Sequence, residues 1–197
     1  MADIENDTGL NNLEAFSLEL FSGQKKPSVI GSGDPGGKAQ GLIGISKFLA
    51  DSFDPENYPD IEFNIPSLTV ILSDIFDIFM EQNQVSSELL LNQSDERIAH
   101  AFQSYDLPFA ILGDLRTIID QIQYPLAIRS SSILEDALEA PFAGIYATKM
   151  IPNNESDTDV RFRKLVEAIK FVYASTFFKA AKDYRHAIGK DLLDENM

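Results

Sequence analysis

The chain has no cysteine among its 197 residues and only two histidines, His100 and His186. Without thiols there is no disulfide, no thiolate metal centre and no cysteine nucleophile. The histidines lie far apart, and neither has an acidic or cysteine ligand pattern beside it, which excludes a zinc enzyme. No run of about 18 apolar residues is present, as a membrane-spanning helix would need. The opening "MADIENDTG" is acidic where a signal peptide starts basic and turns apolar. The expectation is a soluble, cytoplasmic protein. Basic residues are scarce too: 16 against 31 acidic ones, for a formal net charge of −15. Such a field repels nucleic-acid backbones and anionic membranes, so neither is an expected partner. An anionic ligand can bind only where local cations overturn that field.

What is present is enough apolar residue, 44% of the chain, for a proper core. Residues 10–21, "LNNLEAFSLELF", have apolar positions at helical spacing and predict a short helix. "PSVIGSG" reads as a short strand entering a glycine loop. The helix that follows should bury a stripe of Leu42, Ile45, Phe48, Leu49 and Phe53. Residues 61–72 suggest an extended segment or two short strands interrupted by Pro66. Ser73 and Asp74 are placed to cap the helix "DIFDIFMEQ". Two more helices are expected over 94–103 and 109–122.

"YPLAIRSSS" reads as a buried strand, "ILEDALEAPFAG" as a polar loop or partial helix, and "GIYATKMI" as a strand. Residues 160–187 read as one long helix or two, with Phe162, Leu165, Val166, Ile169, Val172 and Tyr173 on the core face. Helices outnumber strands, the two interleave, and no linker longer than about ten residues separates two cores. The class is α+β or α/β, in one domain.

Three stretches carry chemistry. In "GSGDPGGKAQG", residues 31–41, the pattern G-x-x-x-x-G-K-[ST] fails at Ser32 and at Ala39. Free backbone amides, a helix N-terminus and Lys38 still make an anion-binding corner; alternatively Gly36 and Gly37 only let the chain turn. In "LAIRSSSILED", Arg129 ends an apolar strand and is followed by Ser130, Ser131, Glu135 and Asp136. A guanidinium held by a strand can grip phosphate oxygens, with the serines adding donors; or it pairs with Glu135 or Asp136 to pin the following loop. A serine nucleophile is disfavoured, because there is no G-x-S-x-G pattern and no nearby histidine. In "EAPFAGIYAT", Gly144 either lets a backbone amide approach a ligand or allows a bulge.

In order and spacing these stretches resemble the N-terminal ATP-binding domain of the pyruvate phosphate dikinase and phosphoenolpyruvate synthase family. The blocks are "GGKAQGL" at 36–42, "IPSLTVI" at 65–71, "LAIRSSSILEDALEAPFAG" at 126–144, "YASTF" at 173–177 and "AKDYR" at 181–185. They span most of the chain, and the R-S-S to F-A-G block is the specific part. Departures from the family pattern are Pro66-Ser67-Leu68 for Pro-Pro-Gly, Leu138 and Pro141 for the usual Pro and Ser, Tyr173 for Trp, and Ala147 and Ala180 at an acidic and an arginine position.

The resemblance implies an ATP-grasp-like N-terminal subdomain, α+β with a mixed sheet and several packing helices, over 28–197, preceded by an N-terminal extension over 1–27 with the short helix. It implies that Lys38 and Arg129 contact ATP phosphates, Arg129 as the catalytic cation, with Gly36, Gly37, Ser130 and Ser131 sharing the binding. The segment with Glu135, Asp136 and Gly144 would close over them. Mg2+ is implied as the companion of ATP, with its ligands outside this chain. The second subdomain and a phosphohistidine domain are expected downstream as partners. The expected function is therefore the nucleotide-binding half of an ATP-dependent phosphotransferase, inactive alone, that passes a phosphoryl group to a histidine. The alternative is a degenerate, non-catalytic sensory or partner-binding module of the same fold.

Overall fold

Two short segments rich in β-branched residues, Ser28–Ile30 and Thr69–Ile71, form most of the first sheet. A computed structural model describes residues 14–15, 27–63, 65–86, 90, 92–132 and 144–188. Strands β1 (Glu14–Ala15), β2 (Ser28–Ile30) and β3 (Thr69–Ile71) pair in parallel, in that order, with Val29 opposite Val70. Parallel neighbours need a crossover connection, and between β2 and β3 it contains helix α1 (Gly36–Asp51). Glu14 and Ala15 are thus extended where the apolar spacing of residues 10–21 predicts helix; the rest of that segment lies outside the described residues. Over so few residues a helical and a strand period are hard to separate, and pairing with β2 decides it.

Helix α1 forms as expected but buries a different face. Ala39 is buried and Ile43 half-buried against Val29, Val70 and Leu72, beside the first sheet. A small residue lets the helix approach the sheet closely, so Ala39 and Ile43 outcompete the bulkier stripe for contact. Ile45 and Phe48 remain 52% and 57% exposed.

The main core is helical. Helices α2 (Ser73–Gln82), α3 (Asp95–Ser104), α4 (Phe109–Gln121) and α5 (Thr158–Ser175) bury Phe79, Ile98, Phe102 and Ile119 completely. Tyr173 sits edge-on to Phe76 at 4.9 Å between ring centroids, a favoured aromatic geometry. The expected core face of residues 160–187 forms: Leu165, Ile169, Val172 and Tyr173 are buried, and Phe162 and Val166 pack half-buried beside them. The segment breaks into two helices, α5 and α6 (Lys179–Ala187).

A separate sheet pairs β4 (Leu126–Arg129) with β5 (Thr148–Ile151), antiparallel, with Arg129 opposite Thr148. Residues 126–129 are not the buried strand expected. Leu126 and Ile128 turn to the core, while Ala127 and Arg129 are exposed, as in a sheet with one face open to solvent. Nor do the described strands form one mixed sheet: one sheet is all parallel and the other antiparallel. The architecture is α+β.

Buried donors lock the lead-in to β4. Arg161 donates to the Ile119 and Ile122 carbonyls at 2.7 and 2.9 Å, at the end of α4. Asn153, in the left-handed region at φ 51°, donates to the Ile122 and Tyr124 carbonyls. Lys170 closes α3 in the same way, through the Gln103 and Tyr105 carbonyls. Orphan carbonyls at a helix end attract cations. Here they fix where β4 starts and so where Arg129 stands.

Candidate functional site

The C-terminal ends of neighbouring parallel strands lie on one side of a sheet, so the glycine loop after β2 and Ser73-Asp74 after β3 emerge together. Asp74 accepts from the Ser32 amide and hydroxyl and from the Gly33 amide, at 2.9 to 3.0 Å. Ser73 Oγ accepts from the Asp34 amide at 2.9 Å, and the Ser73 amide donates back to the Asp34 carbonyl at 3.1 Å. These two side chains therefore do not cap α2, whose N-cap position is Leu72 and which has no side-chain cap bond. Their acceptors are spent on the loop instead.

The loop is joined on its other side to the segment after β4. Ser131 Oγ donates to the Pro35 carbonyl at 2.7 Å and accepts from the Ala39 amide at 2.9 Å. The Gly37 amide donates to the Ser132 carbonyl, and the Gly36 amide donates to Asp34 Oδ1 at 2.7 Å. Gly36 has φ +73°, and a Cβ there would lie 1.2 Å from the Ser131 carbonyl oxygen. Only glycine allows that approach. Two stretches more than ninety residues apart are thereby stitched into one junction.

The same bonds correct one expectation. The amides of Ser32, Gly33, Asp34, Gly36, Gly37 and Ala39 are engaged within the protein, so the loop does not offer them as free donors to an anion. Its backbone acts as a support for α1.

Lys38, half-buried on the first turn of α1, and Arg129, exposed at the end of β4, line one cleft of about 680 Å³. Ser130, buried, and Ser131, half-buried, line it too. Much of the lining is apolar, Ile118, Leu165, Ile169 and Tyr173 included. Burial pushes the Tyr173 hydroxyl pKa well above its ordinary value, and the nearby Asp74 carboxylate adds to the shift. Asp77 is likewise raised, first by burial and then by Asp74. Two cations and a mostly apolar lining on one cleft suit a ligand with a polyanionic end and an apolar end.

Of the other expected site residues, Gly36 and Gly37 lie in the junction, and Gly144 is exposed at φ +79° with open space where a side chain would stand. Glu135 and Asp136 lie outside the described residues. His100 and His186 are exposed on helices α3 and α6, away from the cleft lining. No three His, Cys, Asp or Glu side chains among the described residues converge as a metal site. Asp34 and Asp74 are engaged by backbone amides, so the donors among the described residues do not fit a magnesium ion.

Residues 35–197 match the family described as "Pyruvate phosphate dikinase, AMP/ATP-binding domain". The chain belongs to that family. No curated protein and no solved structure matches it. The family's AMP/ATP-binding domain thus includes both halves of the junction, Gly36 to Ala39 and Arg129 to Ser132, whereas β1, β2 and the loop up to Asp34 precede the matched residues. No helix among the described residues is long and apolar enough to cross a membrane.

Proposed function

We propose that the chain binds ATP in the Lys38–Arg129 cleft and is the nucleotide-binding half of a phosphotransferase of the pyruvate phosphate dikinase and phosphoenolpyruvate synthase type. The observation that carries this is the Gly36–Ser131 junction, which sets a lysine and an arginine from distant blocks on one cleft. Lys38 and Arg129 would hold the phosphate oxygens, with the Ser130 and Ser131 region beneath them and the segment bearing Glu135, Asp136 and Gly144 closing above. Phosphoryl transfer needs little covalent help from the protein: charge spreads over the moving oxygens, and fixed cations stabilise it while positioning does much of the rest. Transfer to a histidine on a separate domain, with magnesium held by residues beyond those described, completes the reading, in a cytoplasmic setting.

The test is the affinity of ATP for wild type, Lys38→Ala and Arg129→Ala, by calorimetry or equilibrium dialysis. A charge-assisted contact contributes about 1.5–3 kcal/mol, so each variant should bind roughly ten- to a hundredfold more weakly. Equal affinity in all three sinks the assignment.

A second reading, a degenerate sensory or partner-binding module, has one observation in its favour: the glycine-loop amides are committed inside the protein. ATP binding without phosphoryl transfer to any histidine of the parent protein would select it.

A further inference from the structure

The loop that leads into α1 and Lys38 is held by residues that neither the glycine motif nor the R-S-S motif contains. Asp74 takes three donors from Ser32 and Gly33, and Ser73 holds Asp34 from both its amide and its carbonyl. Asp34 in turn accepts at 2.7 Å from the amide of Gly36, the first residue of α1. A series of hydrogen bonds therefore runs from Ser73 through Asp34 to the turn of α1 on which Lys38 stands, and Asp74 fixes the two loop residues that lead into Asp34. The fit is close on the α2 side as well: a Cβ at Gly31 would lie 2.4 Å from Asp74 Oδ1.

We propose that Asp74, assisted by Ser73, is a positioning residue for Lys38 in the nucleotide site. This rests on the reading of the cleft as a phosphate site. Asp74 does not touch the ligand. Its carboxylate stands in the loop as an internal anion, satisfies the amides that an external phosphate would otherwise take, and so leaves recognition to the Lys38 and Arg129 side chains. A loop ordered in advance spares the ligand the cost of ordering it on binding.

Charge and positioning predict opposite signs, which makes the inference sharp. On charge alone, removing a carboxylate near an anion site strengthens anion binding. Loss of a positioning residue weakens it.

The experiment uses tripolyphosphate as the probe, titrated into the 197-residue chain and followed by phosphorus-31 NMR, with four proteins: wild type, Asp74→Ala, Lys38→Ala and the double variant. Asp74→Ala should weaken binding about tenfold, the loss expected when a pre-ordered loop must be fixed by the ligand itself. In the Lys38→Ala background the same substitution should change little, because its effect passes through Lys38. A purely structural role would cost the same in both backgrounds and overturns the proposal, as does unchanged or tighter binding by Asp74→Ala. If Asp74→Ala does not fold, Ser73→Ala, which removes one acceptor, replaces it in the same cycle with a smaller expected loss. Wild-type protein that binds neither tripolyphosphate nor ATP fails the cleft reading first and the inference with it; a binding wild type with an unaffected Asp74→Ala fails the inference alone.

Discussion

Replacing Gly36 by alanine tests the junction that builds the site. A left-handed φ costs an alanine about 1–2 kcal/mol relative to glycine. At Gly36 the new methyl would also lie 1.2 Å from the Ser131 carbonyl oxygen, inside covalent distance, so the loop and the segment after β4 must separate. Overpacking of this kind adds about 1–3 kcal/mol. The expected total is about 4 kcal/mol. With a urea m-value of about 2 kcal/mol/M for a chain of this size, the unfolding midpoint should fall by about 2 M. Two other glycines serve as controls. Gly144 has φ +79° but open space around it, so its alanine variant should lose about 1 kcal/mol, from φ strain alone. Gly41 lies inside α1 with nothing near its missing side chain, and alanine there should stabilise by about 1 kcal/mol. If Gly36→Ala cost no more than Gly144→Ala, the contact between loop and strand end would not exist, and the reasoning from it would fail.

Arg161→Met should destabilise by about 2 kcal/mol, because it takes the donor from the Ile119 carbonyl and leaves the Ile122 carbonyl to Asn153 alone; an unchanged denaturation midpoint would refute that role. Tyr173 provides a pH test. Its hydroxyl pKa is raised in the fold, so the unfolded chain ionises first, near 10.0, and the stability that Tyr173 contributes is complete below that pH and lost above it. Between about pH 9 and 11 wild-type stability should therefore fall more steeply than that of Tyr173→Phe; parallel curves would contradict the burial of the hydroxyl.

The site's cations are more legible in the sequence than the groups that position them. Lys38 and Arg129 stand out because a lone cation in a glycine loop, or at the end of an apolar strand, departs from the pattern around it. The helices over 95–104, 109–121 and 158–175 are legible for a related reason: apolar spacing sustained over about three turns fits a helix and hardly fits a strand or a loop. Ser73 and Asp74 mislead because a Ser-Asp pair before an apolar run has the same local appearance whether it caps its own helix or reaches across a sheet. Only the adjacency of β2 and β3 distinguishes the two, and that pairing spans about forty residues. The face of α1 misleads because hydrophobicity alone favours Ile45 and Phe48, whereas close packing on the sheet favours Ala39 and Ile43. Glycine spacing likewise suggests free amides without showing that Asp74, Asp34, Ser73 and Ser131 already fill them.

Whether one ligand bridges the two stitched blocks is tested most directly by a nitrogen-15 NMR titration of the chain with ATP, reading the amides of residues 36–39 and 129–132 together. Both sets should shift along one binding curve, and that curve should be displaced to weaker binding in Lys38→Ala and in Arg129→Ala. Shifts confined to one block, or centred elsewhere on the surface, would contradict a shared nucleotide site.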